Sequence, residues 1–425
     1  MSEPTKKTLV PKLRFPEFRA AGEWNDEPLK ELYDFKVTNS YSRDMLNYEK
    51  GTVKNIHYGD IHTKFSILFD IQNETVPFIN PSVSLKKIKP ECFCLEGDMI
   101  FADASEDMDD IGKSIEIVQL NNERLLSGLH TLLARQKNKK LFIGFGGYLF
   151  KSSRIRVQIK KEAQGSKVLG ISAGRLSNIK VGYPFENKEQ QKVADCLSSL
   201  DELITAHTQK HETLKAHKKG LMQQLFPAEG ETAPKLRFPE FRDAGEWDEK
   251  EVGGIFNATR GYVLSMNLVK DEWTEEAPYP VFSSQTKNNG LAGYYSDFLY
   301  ENAITWTTDG ANAGDVNYRA GKFYCTNVCG VLINTDGYAN PFTAALINSV
   351  SKKHVSYVGN PKLMNGVMSK IVVPFPSLIE QQKIADCLSS LDELITAHSQ
   401  KHDALKAHKK GLMQQLFPTA NEVNG

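Results

Sequence analysis

Charge of one sign is what this sequence most plainly lacks. Its 52 Lys and Arg are matched by 52 Asp and Glu over 425 residues. No overall field therefore draws it to nucleic acid or to an anionic membrane. Long apolar runs are missing too: nothing approaches the roughly 18 residues a membrane-spanning helix needs, and MSEPTKKTLVPKLRFPEF at the N-terminus has no continuous apolar core. The expectation is a cytoplasmic protein with no membrane contact. Cysteine is scarce, with six residues. Cys196 and Cys387 fall at equivalent repeat positions, and Cys92/Cys94 and Cys325/Cys329 lack zinc-ribbon spacing, so free thiols and no metal are expected.

Catalytic signatures are equally sparse. Gly112-Lys113-Ser114 invites a phosphate-loop reading, but the motif needs a glycine where Asp107 stands. Asn340-Pro341-Phe342 echoes the amino-methyltransferase tetrapeptide without its second proline. The acidic run Glu106, Asp107, Asp109, Asp110 lacks calcium-loop spacing. No HExxH, GxSxG or CxxC pair occurs. The reading is a chain without catalysis or a cofactor of its own, short of a site assembled from distant residues.

What is there is a duplication. Glu189 to Pro227 returns as Glu380 to Pro418 with four mild differences in 39 residues, Val193/Ile384, Thr208/Ser399, Glu212/Asp403 and Thr213/Ala404. Val193, Leu197, Leu200, Ile204, His207, His211, Leu214, Lys218, Leu221 and Leu225 are spaced by alternating steps of four and three, a heptad seam. The second copy carries Leu388, Leu391, Ile395, His398 and His402 in the same places. At about 1.5 Å per residue such a helix spans roughly 55 Å, more than the core of one small domain requires. Its obvious partner is its own copy. With the two antiparallel and their midpoints opposed, His207 and His211 would lie across from His402 and His398. The seam histidines then read as polar residues that fix register, with a metal site as the rival reading.

A second duplication sets the larger unit: Pro11 to Trp24 (PKLRFPEFRAAGEW) recurs as Pro234 to Trp247 with one change in fourteen. The chain then divides into a leader (1–24), a variable segment (25–185), a long helix (186–227), a linker with the second leader (228–247), a second variable segment (248–378), a second helix (379–418) and a tail (419–425). Near-identical surroundings of dissimilar inserts point to interchangeable inserts. Segment one opens with a short helix near Leu29 to Phe35. Strands are expected at Phe65–Ile71, Met99–Ala102, Ser114–Leu120, Thr131–Arg135 and Arg154–Ile159, runs rich in β-branched and aromatic residues. The fold class is α+β: two mixed α/β domains separated by two long antiparallel coiled-coil helices, with a pseudo-two-fold internal repeat.

The inserts are nearly neutral, 23 basic against 20 acidic residues in 25–185 and 10 against 12 in 248–378. A protein relying on bulk phosphate attraction would carry a basic surplus. From Thr205 to Pro227, however, Lys210, Lys215, Lys218 and Lys219 face only Glu212. On residues alone, an adaptor that joins two proteins without touching DNA stays open.

The order of variable segment, long repeated helix, variable segment, long repeated helix resembles the DNA specificity subunit of type I restriction-modification systems. PKLRFPEF…GEW leaders and EQQK(V/I)ADCLSSLDELI…KAHKKGLMQQLFP helices carry the resemblance, and GDMIFADAS (Gly97–Ser105) and TTDGANAGDVNYR (Thr307–Arg319) are similar to that family's target recognition domains. The resemblance implies a non-catalytic subunit whose two domains each read half of a bipartite double-stranded DNA target. Its helices would recruit two methyltransferase subunits and, through them, restriction subunits. S-adenosylmethionine, ATP and magnesium would belong to those partners. Helices of roughly 55 Å would let two readers reach half-sites about one DNA turn (~34 Å) apart. Loop residues able to present donors and acceptors to a groove are the expected contacts. In segment one these are Asn55, His57, Tyr58, Asp60, His62, Ser105 and His130; in segment two, Ser284, Gln285, Lys287, Asn288, Asn289, Thr308, Asn312, Tyr318 and Arg319.

Overall fold

The computed structural model describes residues 9–284 and 287–419, the side chain of Lys287 excepted. Two compact units divide the chain. Unit 1 holds residues up to Ala206 together with those from Lys401 onward, and unit 2 holds His207–Gln400. Each unit therefore contains the first half of one long helix and the second half of the other.

Both long helices run 39 residues, Asn187–Leu225 and Leu378–Leu416. In unit 1, Val193, Ala194 and Leu197 of the first share a core with Leu412, Met413 and Leu416 of the second. In unit 2, Ile384, Ala385 and Leu388 share a core with Leu221, Met222 and Leu225. Early residues meet late ones in both places, so the paired halves are antiparallel. The residues at the heptad seam are the buried or half-buried ones, Leu197, Leu200, Ile204, Leu388, Leu391 and Ile395 among them, while most positions between them are exposed. Lysines at seam positions reach across to acids: Lys218 to Asp392 at 2.6 Å in unit 2, Lys409 to Asp201 at 2.5 Å in unit 1.

The histidine register differs from the one expected. His207 faces His398, Nδ1 to Nδ1 at 2.9 Å, so each meets the residue that occupies its own place in the other repeat. His211 and His402 turn instead to the acids beside them, Glu212 at 3.1 Å and Asp403 at 3.0 Å. Two identical seams facing in opposite directions have one self-paired layer, and it falls at His207/His398 rather than between two histidine pairs. One ring must donate and the other accept. Among the described residues no three His, Cys, Asp or Glu side chains gather as a metal-ligand set, and no helix is long and apolar enough to cross a membrane.

Each unit mounts a sheet on its helix pair. In unit 1 the order is Tyr33–Lys36, Thr131–Gln136, Met99–Ala102, Ser114–Gln119, Leu68–Asp70, antiparallel except for the last pairing. Unit 2 repeats this order and these senses with Asn257–Arg260, Cys329–Ile333, Tyr300–Thr307, Val316–Cys325 and Tyr279–Phe282, then adds Leu291–Tyr295 at the edge. Unit 1 carries instead a four-stranded sheet of Leu125–Ser127, Lys54–Ile56, Phe78–Ile79 and Leu46–Asn47. Strand alternation gives every main sheet two faces. Met99, Phe101 and Ala134 face the helices, while Ile100, Ala102 and Leu133 build a separate core on the far side. In unit 2 Ile304, Trp306 and Leu332 face the helices, and Ala303, Cys329 and Val331 the far side.

One expected strand is a helix. Arg154–Ile159 lies inside Ser153–Glu162. Ile155, Val157 and Ile159 satisfy a two-residue period, but Ile155 and Ile159 also sit four apart, and the exposure of Val157 at 38% shows that the helical spacing won. The Leu29–Phe35 stretch is helical only to Leu32 and becomes a strand at Tyr33.

The leaders lock onto the helices through a buried clamp, made twice. Arg14 holds Glu189 through Nε–Oε1 and Nη2–Oε2, both at 2.7 Å. Arg237 holds Glu380 likewise at 2.7 and 2.6 Å. Each leader also donates a backbone N–H to the far end of the antiparallel helix, Leu13 to Gln415 at 2.9 Å and Leu236 to Gln224 at 2.9 Å. The repeated sequences are thus the parts that join leader to helix pair.

Glu116, on the Ser114–Gln119 strand, is a buried carboxyl that accepts from the Gly147 N–H at 2.7 Å while its Oε1 has no partner among the described residues. Burial pushes its pKa up from 4.5 to about 7, against the opposing hydrogen bonds from Gly147 and Gly144. A raised folded-state value means the native state holds the proton longer than the unfolded chain. Stability from this group is present below the unfolded value and lost as pH rises through the folded one. Glu116→Gln keeps the acceptor for Gly147 and has no charge to bury. It should stabilise unit 1 at pH 8 by about 3 kcal/mol and flatten the decline between pH 5 and 7, read by thermal or denaturant melts across that range.

Candidate nucleic-acid interface

The polar residues singled out in segment one converge on the far side of the unit 1 sheet. Tyr58–Thr63 forms a short helix there, capped by His57, whose Nδ1 accepts from the Gly59 N–H at 3.2 Å. Tyr58 is the centre of a ring cluster, with His57 at 4.7 Å, His130 at 5.3 Å and His62 at 6.0 Å between ring centroids. His130 arrives from a turn in the left-handed region (φ 54°), and its Nδ1 lies 3.2 Å from Asp103 Oδ1. His62 Nε2 lies 3.0 Å from the Ala104 carbonyl. Ser105 is buried, its hydroxyl accepting from the Asp107 N–H. Burial, with the positive charge of Arg43 nearby, pulls the His57 pKa down.

Two members of the set have other work. Asn55 is fully buried, its Oδ1 accepting from Asn39 Nδ2 at 2.7 Å while its own Nδ2 has no partner among the described residues. Asp60 is fully buried as well, gripped by Arg43 through two contacts at 2.8 Å and by Lys64 at 3.1 Å. Burial works against its charge, but the hydrogen bonds from Arg43 and Lys64 outweigh it and hold the carboxyl below its usual range. Arg43 and Asp103 were not anticipated; nothing local in the sequence distinguishes them, because their partners are distant in the chain.

In unit 2 the loops after Phe282 and Thr307 come together on the corresponding far face. Asn312 Nδ2 donates to the Ser284 carbonyl at 3.1 Å, and Arg319 Nη2 to the Asn289 carbonyl at 2.7 Å. Asn288 and Asn289 are exposed in left-handed backbone (φ 50° and 53°), which asparagine tolerates better than most residues. Thr308 is fully buried, its hydroxyl bound to the Val328 carbonyl and to Asp309. Tyr318 is separated from the set: it neighbours Arg319 on one strand, so it points to the opposite face and packs against the helix-side core. Gln285 and the Lys287 side chain lie outside the described residues.

Each unit thus mounts one sheet topology on its helix pair, and the two polar far faces differ in their residues. The model of the type I restriction modification DNA specificity domain matches residues 22–216 and 244–407, and the chain belongs to that family. It is a specificity subunit, the non-catalytic DNA-recognition member of a type I restriction-modification system. Over 143 residues it is 41% identical to the N-terminus of a type I specificity subunit of Mycoplasma pneumoniae, covering 33% of this chain and 75% of that one. A type I restriction enzyme specificity subunit of Methanocaldococcus jannaschii is 24% identical over 419 residues, 93% of each chain. Among solved structures, the S subunit of a type I system from Mycoplasma genitalium aligns with a TM-score of 0.64 at 16% identity, covering 96% of this chain and 99% of that one. A chain from a structure of type I complex assembly aligns with a TM-score of 0.53 at 13% identity, covering 93% and 98%. Identities this low speak for the fold.

Proposed function

We propose that the two variable segments, 25–185 and 248–378, are target recognition domains that each read one half of a bipartite, asymmetric duplex target in the cytoplasm. The two long helices set the distance between half-sites and present equivalent surfaces to two adenine methyltransferase subunits. Restriction subunits join through these. S-adenosylmethionine, ATP and magnesium are bound by the partners. The observation that carries this reading is that one sheet topology, clamped to its helix pair by one repeated leader, displays two unlike polar far faces. Equivalent surfaces on one chain suit two copies of one partner. Near-neutral inserts fit a shared grip, with partner subunits supplying phosphate contacts.

For base contacts the reading favours His57, Tyr58, His62 and His130 in the first domain, and Asn288, Asn289, Asn312 and Arg319 in the second. The test is a genome-wide map of N6-methyladenine in cells with and without this chain, its methyltransferase subunits present. A single split motif that vanishes with the chain is expected. Methylation unaffected by its loss, or a continuous motif, refutes the reading.

A further inference from the structure

Strand alternation sends Arg319 to the far face of the unit 2 sheet, between Phe282, Thr305 and Asn289, where a charge is costly. The residue is 9% exposed, and its guanidinium lies 3.8 Å from the centre of the Phe282 ring. Nε donates to Thr305 Oγ1 at 3.0 Å and Nη2 to the Asn289 carbonyl at 2.7 Å. Nη1 has no hydrogen-bond partner among the described residues, and no carboxylate there forms an ion pair with the group. Burial accordingly draws the Arg319 pKa down to about 10. A buried cation without a compensating acid is unfavourable; Phe282, Thr305 and the Asn289 carbonyl hold this one, and Nη1 remains available to a ligand.

The space beside it is built for such a ligand. A cavity of about 170 Å³ is lined mostly by polar groups, among them Arg319, Asn317, Asn289, Ser283 and Asp315. That is room for roughly six waters, which a docking base edge would expel. Phe282 fixes the guanidinium plane from one side and Thr305 fixes Nε, so the remaining N–H groups keep a fixed direction. A planar, oriented fork is suited to two acceptors side by side. A phosphate offers such acceptors, but it gives Asp315, which lines the same cavity, no donor to accept from. A G·C pair satisfies both signs: guanine O6 and N7 accept from arginine, and cytosine N4 donates to an acid.

We propose that the Arg319 cavity reads one G·C pair of the half-site recognised by the second domain, with Arg319 bidentate to the guanine and Asp315 accepting from the cytosine amino group. This rests on the DNA-reading function proposed above and names the base at one position. Asp315 is ion-paired with Lys352 at 2.8 Å in the free chain and would share its carboxylate on binding.

The experiment compares methylation motifs written by the native chain and by Arg319→Gln, each with its methyltransferase subunits. One guanine in one half-site is expected to become degenerate while the other half-site and the spacing stay fixed. With the native complex, 7-deazaguanine at that position should weaken duplex binding roughly ten- to hundredfold and leave the Arg319→Gln complex unaffected. An unchanged motif overturns the proposal. So does equal weakening on all sequences with a shallower salt dependence, the mark of a phosphate contact. Should Arg319→Gln fail to assemble, the native complex alone decides: no single guanine sensitive to 7-deaza substitution overturns the assignment. A native chain that writes no split motif refutes the broader function; a split motif without this change refutes only the inference.

Discussion

Arg14→Ala should cost about 3–5 kcal/mol in unit 1, and Arg237→Ala a similar amount in unit 2. Arg14 is 8% exposed and Glu189 2%; Arg237 and Glu380 are 10% and 2%. Removing either arginine strands a buried carboxylate, and the leader loses more than the pair, because Arg14 Nη1 also donates to the Ala21 and Gly22 carbonyls at 2.6 and 2.9 Å. The two copies are not equal in detail. Trp24 Nε1 donates to Glu189 at 3.3 Å, whereas Trp247 Nε1 has no partner among the described residues. Glu189 thus keeps one donor when Arg14 is lost and Glu380 keeps none from its tryptophan, while Arg237 Nη1 donates to the Gly245 carbonyl alone, so the two differences oppose each other and the costs stay similar. Replacing the whole pair, Arg14→Met with Glu189→Met, should lose much less than Arg14→Ala, since no charge is left without its partner. Denaturant melts measure the cost. Hydrogen exchange locates it: Arg14→Ala should release protection at Leu13, Trp24 and the Gln415 end of the second helix, and Arg237→Ala at Leu236, Trp247 and Gln224. Equal losses from Arg14→Ala and the methionine pair would show that the clamp acts by packing alone.

That clamp also marks the limit of what the sequence discloses. Arg14 and Glu189 both sit in repeated motifs, so their importance is legible, but their pairing is not, since one lies in the leader and the other opens the helix. The heptad seam was legible because its period is local, and Leu197, Leu200 and Ile204 are inside as a four-three spacing requires. Its layer assignment was not: period fixes which face of a helix is buried, not which residue of the partner lies opposite, and His207 meets His398 rather than His402. Among the candidate contacts, Tyr58 and His130 converge because a strand order invisible in the sequence brings their loops together. Asn55 and Thr308 were chosen as polar loop residues and are buried, a property that polarity in a loop does not reveal. Tyr318 and Arg319 lie on opposite faces, as adjacent residues of one strand must. The common topology of the two variable domains is hidden by their dissimilar sequences, which need agree only in which positions face the helices.

Lengthening both long helices by one turn should shift the preferred spacer by one to two base pairs and leave both half-sites as they are. Each unit uses half of each helix, so an insertion in one helix alone would uncover part of the seam; matched four-residue insertions after Ala206 and Ala397 avoid this. Four residues add about 6 Å and some 40° beyond a full turn, while each base pair of B-DNA adds about 3.4 Å and 34–36°. One added pair matches the rotation and two match the rise, which brackets the expected change. The seam then contains consecutive steps of four, an irregularity that long helix pairs absorb by local unwinding. The His207/His398 layer is the place to insert, because it is polar and contributes least to apolar packing. Methylation of duplex libraries in which only the spacer length varies would read the result. An optimum displaced with the half-sites intact supports the helices as the spacing device; an optimum that stays where it was, in a complex that still binds and methylates, assigns the spacing to the partner subunits instead.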